Sequence, residues 1–171
     1  MPDRRLDSTW LDEWRQEVSR SVTRLMESFE ETHGYPAGNN TVVPADEGTH
    51  AAVPVLGDRW PRPLLYLYSV IDSVSLPDIG NGYFIHSPST VTEHLAEYGH
   101  TALTSGVPGI VFGSVGGGNL FALADDGRVH KSRTASSTDG FDVAATDLGD
   151  FLEQLRHVVE QFAATGQPGS L

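Results

Sequence analysis

The chain has 171 residues, of which 39% are hydrophobic, and a formal net charge of −12. This length is sufficient for one domain with its own core, and the absence of cysteine excludes disulfide bonds and thiolate metal sites, as is usual in a reducing cytoplasm. The excess of negative charge disfavours nucleic acid and anionic membranes as partners and favours a basic protein partner, although acidity also serves solubility alone.

The N-terminal segment is predicted to be an amphipathic helix rather than a targeting signal. No apolar run in the chain approaches the ~20 residues that cross a bilayer, and the start of the chain lacks the apolar core of a secretory signal. Asp7 or Ser8 can cap a helix that continues to about Thr32, and Gly34 then ends it. The apolar residues on one face of this helix are Leu11, Trp14, Val18, Val22, Leu25, Met26 and Phe29. We therefore expect a cytoplasmic protein that begins with a helix packed on its core.

The segment 33–63 is loop-rich, and only residues 41–43 and 51–56 have strand-like composition. So long a stretch of weak structure is unusual inside a compact domain, which favours an edge hairpin with long loops or a functional flap. Trp60 has two interpretations. Beside its arginine neighbours it can anchor a partner, since Trp and Arg dominate binding hot spots, or it can cover an edge of the core.

The segment 63–98 is predicted to hold two strands and a helix. Alternating apolar residues indicate a strand from about Tyr68, while a proline at position 63 leaves a short helix over residues 63–70 open. Turn residues 76–82 then lead into a strand at residues 83–85. Thr90 and Glu93 form a capping-box pattern that predicts a helix with Val91, Leu95 and Tyr98 facing inward.

Residues 110–131 have the pattern of an antiparallel meander, with apolar runs at 110–112, 120–123 and from 129 onward. Asp126 and Gly127 are predicted to form a type I′ hairpin tip, and Ser114 is interpreted as a turn residue. The glycines at 116–118 suggest a bulge or a turn. A phosphate-binding loop is disfavoured because no lysine follows and the next segment is predicted to be a strand.

The last part of the chain is predicted to contain one further strand and a closing helix. Phe141, Val143 and Ala145 alternate as in a strand, and Thr146 or Asp147 can cap the helix. The apolar stripe of that helix comprises Leu148, Phe151, Leu152, Leu155, Val158, Val159 and Phe162. Residues 164–171 are expected to be a flexible tail. The whole chain is predicted to be one α+β domain, in which N-terminal and C-terminal helices pack on a twisted, mainly antiparallel sheet.

The sequence carries no recognised catalytic or metal-binding arrangement. The histidines are dispersed, and although His86, His94 and His100 can meet in space, a chance scatter explains them better. The paired carboxylates lie in predicted turns or on solvated helix faces, where their pKa values shift little. We therefore expect no enzyme activity, no cofactor and no metal site.

Several of these segments together resemble the SUKH superfamily (Smi/Knr-like). The resemblance lies in FGSVGGGNLFAL from Phe112, DGRV from Asp126, the Leu-Pro-Asp that begins at Leu76, and Phe151 on the closing helix. It covers about residues 64–162 and implies an α+β fold of the SUKH type. The residues that it assigns to the family's structural motif are Pro77, Gly82, Gly113, Gly117, Gly118, Phe121, Gly127 and Phe151.

The resemblance implies an immunity protein that neutralises a cognate bacterial toxin by occluding its active site. A basic nuclease domain is one such toxin, because an acidic surface can mimic its phosphate substrate. The candidate partner-binding residues are Asp125, Asp126, Asp139, Asp142, Trp60 and Tyr83, and the four aspartates are expected to share one edge of the sheet. Two alternatives are a general interaction or regulatory module, as among eukaryotic SUKH relatives that act in cell-wall synthesis control, and a nucleotide-binding enzyme built on the loop 116–118.

Overall fold

The computed structural model describes residues 6–53, 60–103 and 106–171, which form helices around one antiparallel sheet. The helices are α1 (Ser8–His33), α2 (Glu47–Ala52), α3 (Arg62–Val70), α4 (Pro88–Tyr98) and α5 (Leu148–Thr165). The strands are β1 (Thr41–Pro44), β2 (Ile71–Leu76), β3 (Tyr83–Ile85), β4 (Thr101–Ala102), β5 (Pro108–Val115), β6 (Leu120–Ala124), β7 (Val129–Ser132) and β8 (Phe141–Ala145). Their order in the sheet is β1-β2-β3-β5-β6-β7-β8, and β4 pairs with β5. The α+β class, the antiparallel sheet and the helices near both ends are confirmed.

The main core lies between helices α1, α3 and α5 and one face of the sheet. Ile110 and Phe112 point into this core, whereas Val111 between them belongs to a second, smaller cluster on the opposite face, since side chains alternate along a strand. The second cluster also contains Leu103, Ala122, Ala124 and Phe141. Across the main core, the buried Trp14 Nε1–H donates to the Leu152 carbonyl at 2.7 Å, which joins α1 to α5.

Two segments predicted as strands are partly helical. The strand predicted from about Tyr68 begins only at Ile71, and the short helix left open over residues 63–70 is confirmed as α3, whose first turn contains Pro63 and whose buried face is Leu64, Leu67 and Tyr68. The strand predicted over 51–56 is likewise replaced at Ala51 and Ala52 by α2, and residues 54–56 lie outside the described part of the chain.

Helix α4 begins earlier than predicted, and one of its three predicted inward residues faces solvent instead. Its N-cap is Ser87, whose side chain accepts a hydrogen bond from the Thr90 main-chain N–H, so Thr90 lies within the first turn. Val91 is buried and Leu95 packs against the main core as predicted, but Tyr98 is 65% exposed instead of facing inward. The short helix therefore buries its first turns and leaves its last turn in solvent.

The two glycine-containing hairpin loops share one backbone geometry. In the loop 125–127, the Gly127 N–H donates to the Ala124 carbonyl at 2.9 Å, and Gly127 has φ 89°. In the loop 116–118, the Gly118 N–H donates to the Val115 carbonyl at 2.9 Å, and Gly118 has φ 95°. No non-glycine residue in the described ranges has positive φ, so the type I′ turn predicted at Asp126 is wrong and a turn closed by a left-handed glycine replaces it.

The motif residues have structural roles that differ among the glycines. A Cβ on Gly113 would lie 2.5 Å from the Phe84 carbonyl oxygen, so this strand position has no room for a side chain. The same test at Gly117 finds nothing nearer than the Asn119 Oδ1 at 3.7 Å. Phe121 packs edge-on against Phe151 with ring centroids 4.8 Å apart, and Gly82 and Pro77 lie in the turn between β2 and β3. Steric need is therefore clear at Gly113 and absent at Gly117.

Candidate functional site

The most distinctive surface is a group of carboxylates at one end of the sheet. The pairings Leu123–Val129 and Val129–Ala145 place the end of β6, the start of β7 and the end of β8 side by side. Just beyond these strands lie Asp125 and Asp126 in the β6–β7 loop and Asp147 and Asp150 at the start of α5. Since β6 and β8 are two strand spacings apart, roughly 10 Å, these side chains form one surface, which we call the acidic end.

Main-chain hydrogen bonds hold the acidic end in place. Asp126 accepts from the Arg128 N–H at 3.0 Å, and the Asp125 N–H donates to the Pro108 carbonyl at 3.2 Å. Asp147 caps α5 by accepting from the Asp150 N–H at 2.7 Å, and Asp150 accepts from the Thr146 N–H at 3.0 Å. The loop and the helix start are thus anchored before any partner binds.

The charge of the acidic end is not neutralised by ion pairs. Among the described residues, none of its four carboxylates forms a salt bridge, and Arg128 is the cation that accompanies them in the same loop. Asp125 and Asp126 are exposed, while Asp147 and Asp150 are half-buried. The arrangement can therefore attract a cationic surface without first breaking an internal ion pair.

The expectation that all four candidate aspartates share one edge is wrong. Asp139 and Asp142 lie at the other end of β7, in and after the β7–β8 loop, because successive loops of a meander fall at opposite ends of the strand that joins them. Arg133 donates to both carboxylate oxygens of Asp142, at 3.1 and 2.8 Å, and these hydrogen bonds hold the pKa of Asp142 below its usual range. Asp139 accepts from the Thr134 hydroxyl at 2.8 Å.

The two aromatic candidates for partner binding are core side chains. Trp60 is 6% exposed and its ring packs 5.8 Å from that of Tyr68, so it covers an edge of the core as the second interpretation held. Tyr83 is 3% exposed, and burial raises the pKa of its hydroxyl. Both side chains are therefore buried in the folded domain, and of the six candidate partner-binding residues only Asp125 and Asp126 lie at the acidic end.

His130 lies directly behind the acidic end, and sequence reasoning did not single it out. Its ring is buried beside Ala122 and Val143 on the second face of the sheet, and neither ring nitrogen has a hydrogen-bond partner. Burial lowers the pKa of His130, the Asp126 charge opposes this change, and the Arg128 charge adds to it. A neutral imidazole without partners is tolerated there, whereas a charged one is penalised.

A second histidine forms a hydrogen bond that the sequence did not suggest. His86 Nε2 is 3.2 Å from Ser114 Oγ, and Ser114 lies within β5 rather than in a turn. Burial, reinforced by the His94 charge, lowers the pKa of His86. Among the described residues no carboxylate hydrogen-bonds to the His86 ring, so the pair lacks the third group that orients a catalytic base. It ties β5 to the segment that precedes α4.

Comparison with known proteins finds no matching family model and no matching curated protein. In the described part of the chain, no group of three or more His, Cys, Asp or Glu side chains is placed to hold a metal ion. Within the same residues, no helix has both the length and the apolar composition required to span a bilayer.

Proposed function

We propose that this chain is an immunity protein that binds a cognate bacterial toxin domain and neutralises it by occluding its active site. The observation that carries the proposal is the acidic end, where Asp125, Asp126, Asp147 and Asp150 form no ion pairs with described residues, on a chain with net charge −12. The sequence resemblance to the SUKH superfamily and the antiparallel α+β architecture are both consistent with this function.

The acidic end suits a basic active-site cleft, such as that of a nuclease. Exposed carboxylates at a hairpin tip project from the domain as phosphates project from a nucleic-acid backbone, and the cleft is built to bind that charge. Because the Asp126 carboxylate is fixed by the Arg128 N–H, binding orders little that is not already ordered. Long-range attraction then raises the association rate, and the occupied cleft excludes substrate.

The first experiment is co-expression of the chain with the toxic domain encoded beside its gene, scoring cell survival and a one-to-one complex together. Survival with a stable complex supports immunity. Death without a complex rejects that neighbour as the toxin, and recovery of several housekeeping partners from a pull-down supports the regulatory alternative instead.

The surface itself is tested by a matched pair of double substitutions. Asp125→Asn with Asp126→Asn removes charge from the acidic end and keeps an amide oxygen to accept from the Arg128 N–H. We expect about a tenfold slower association at low salt and a weaker salt dependence. The control, Asp139→Asn with Asp142→Asn, removes the same charge from the other end of β7 and should leave association within about twofold of wild type. Equal effects of the two pairs would show that net charge, not this surface, drives binding.

A further inference from the structure

The residues after α5 do not project into solvent as expected for a flexible tail, but lie back against the domain. Gly166 ends the helix in the left-handed conformation, and Pro168 then reaches the β2–β3 turn, where a Cβ on Gly80 would be 3.6 Å from the Pro168 Cβ. Leu171 is half-buried against the main core. Its main-chain oxygen accepts a hydrogen bond from Lys131 Nζ at 2.6 Å. The tail is therefore held by packing at both ends and by one charged donor.

The tail runs along a groove between α5 and the sheet that it fills incompletely. On the α5 side is an open cleft of about 620 Å³ lined by Glu153, Gln154, His157, Val158, Gln161 and the tail itself. On the sheet side is a cavity of about 270 Å³ lined by Asn81, Tyr83, Val115, Gly117, Asn119 and Lys131. Gly169 and Ser170 line both spaces, so small residues form a thin wall between two unfilled hollows.

Each contact of the tail specifies a chemical feature. At Gly169 a Cβ would lie 3.1 and 3.5 Å from the two Val158 methyl groups, so the position fits a glycine closely and a larger side chain would have to push Val158 aside. Leu171 supplies an aliphatic side chain to the core edge, and its oxygen satisfies the Lys131 ammonium. Asp142, which pairs with Lys131 across the strands, is already held by Arg133, and the hydrogen bond of the Lys131 ammonium goes to the Leu171 oxygen of the tail. Ser170, in contrast, is exposed and leaves the adjacent space open.

We propose that this groove is a binding site for an extended peptide of the form Pro-Gly-X-aliphatic, which the chain's own Pro168, Gly169, Ser170 and Leu171 occupy in its free state. A partner segment with a larger residue at X would fill the hollows that Ser170 leaves and would displace the tail. Because the tail is tethered, it competes at an effective concentration on the order of millimolar, which masks the site from weak ligands. The site takes a peptide whose backbone or terminal oxygen meets Lys131, and it does not depend on the acidic end.

The test uses the full chain with Gly169→Val, which places branched methyl groups against Val158 and releases the tail. A fluorescent synthetic peptide with the sequence of residues 167–171, Gln-Pro-Gly-Ser-Leu, is then titrated and its anisotropy is measured. We expect the variant to bind the peptide at least tenfold more tightly than wild type does. If Gly169→Val fails to fold, Leu171→Asp provides a second way to release the tail, since it buries a charge at the core edge.

Two further measurements test whether the Lys131 ammonium holds the peptide. Adding Lys131→Gln to the released-tail variant should weaken peptide binding about tenfold, because a charge-assisted hydrogen bond is lost, whereas Arg133→Gln at the neighbouring cation should not. Peptides with a free carboxylate and with a terminal amide show whether the ammonium prefers a charged or a neutral oxygen. A folded released-tail variant that binds neither peptide, or that binds equally well with Lys131→Gln, would overturn the proposal.

Discussion

Replacing Gly116 by alanine is expected to destabilise the domain strongly, although the residue sits in a glycine run at a hairpin turn. A Cβ at this position would lie 2.0 Å from the Asn81 carbonyl oxygen, whereas real Cβ contacts are essentially never below 3.0 Å, so the two segments must separate by about 1 Å. The Gly116 N–H donates to the Gly82 carbonyl at 3.0 Å in the same contact, and separation weakens that bond. Overpacking costs about 1–3 kcal/mol and a lost hydrogen bond about 1 kcal/mol, which gives roughly 2–4 kcal/mol.

The adjacent glycine supplies the control. Gly117 has no positive φ, and its added Cβ would meet only the Asn119 side chain at 3.7 Å, so Gly117→Ala should be neutral or stabilise the fold by up to about 1 kcal/mol through the unfolded chain. Urea unfolding gives both free energies, and thermal unfolding should show a melting temperature lower by about 4–16 °C for Gly116→Ala. Equal stabilities of the two variants would refute the steric argument.

The nucleotide-binding alternative for the loop 116–118 predicts a different result. A nucleotide at 100 times its Kd would raise the unfolding free energy of the wild-type protein by about 2.7 kcal/mol, and the two variants would lose this gain.

Two further outcomes follow from buried polar groups. Because the pKa of His130 is lower in the folded state, its contribution to stability is fully present above the unfolded pKa of about 6.5 and is lost as the pH falls below that value. His130→Leu should therefore flatten the dependence of the unfolding free energy on pH between pH 7.5 and 5, measured in urea. An unchanged slope would assign the pH dependence to His86 and His94. Trp14→Phe removes the 2.7 Å hydrogen bond to the Leu152 carbonyl between α1 and α5 and should cost about 1–3 kcal/mol; a loss below 0.5 kcal/mol would show that this bond contributes little.

The long helices could be predicted from the sequence because a single period dominated them. Over α1 and α5 the apolar residues recur only at helical spacing, and Asp7 and Asp147 cap the helices where the sequence indicated. In α3, Leu64, Tyr66 and Tyr68 satisfy an alternating pattern while Leu64, Leu67 and Tyr68 satisfy a helical one. Short apolar segments fit both periods, and only packing against α1 and β2 decides between them.

The acidic end was less predictable, because it depends on which loops lie together. The sequence indicated acidic turns, and Asp125 and Asp126 do occupy an exposed hairpin tip. The expectation that Asp139 lies beside them overlooked the order of a meander, in which successive loops fall at opposite ends of the strand that joins them. From the sequence, Asp147 is only a candidate helix cap and Asp150 is not singled out, and the β7–β8 pairing is what brings them beside the tip.

Strand β7 separates two surfaces of opposite character, and this separation bears on how the protein would work. The acidic end lies beside Val129, at the start of β7, whereas Lys131 and Arg133 lie near the other end with the tail and the Asp142 ion pair. Residues 125–128 turn rather than extend, and from Val129 to Lys131 the strand rises roughly 7 Å, about one Debye length of ~8 Å at physiological salt. Salt therefore screens the charges at the two ends from one another only in part. Because the two proposed sites use different loops, we expect a basic partner on the acidic end and a peptide in the tail groove to bind together, with a coupling between them that weakens as salt rises.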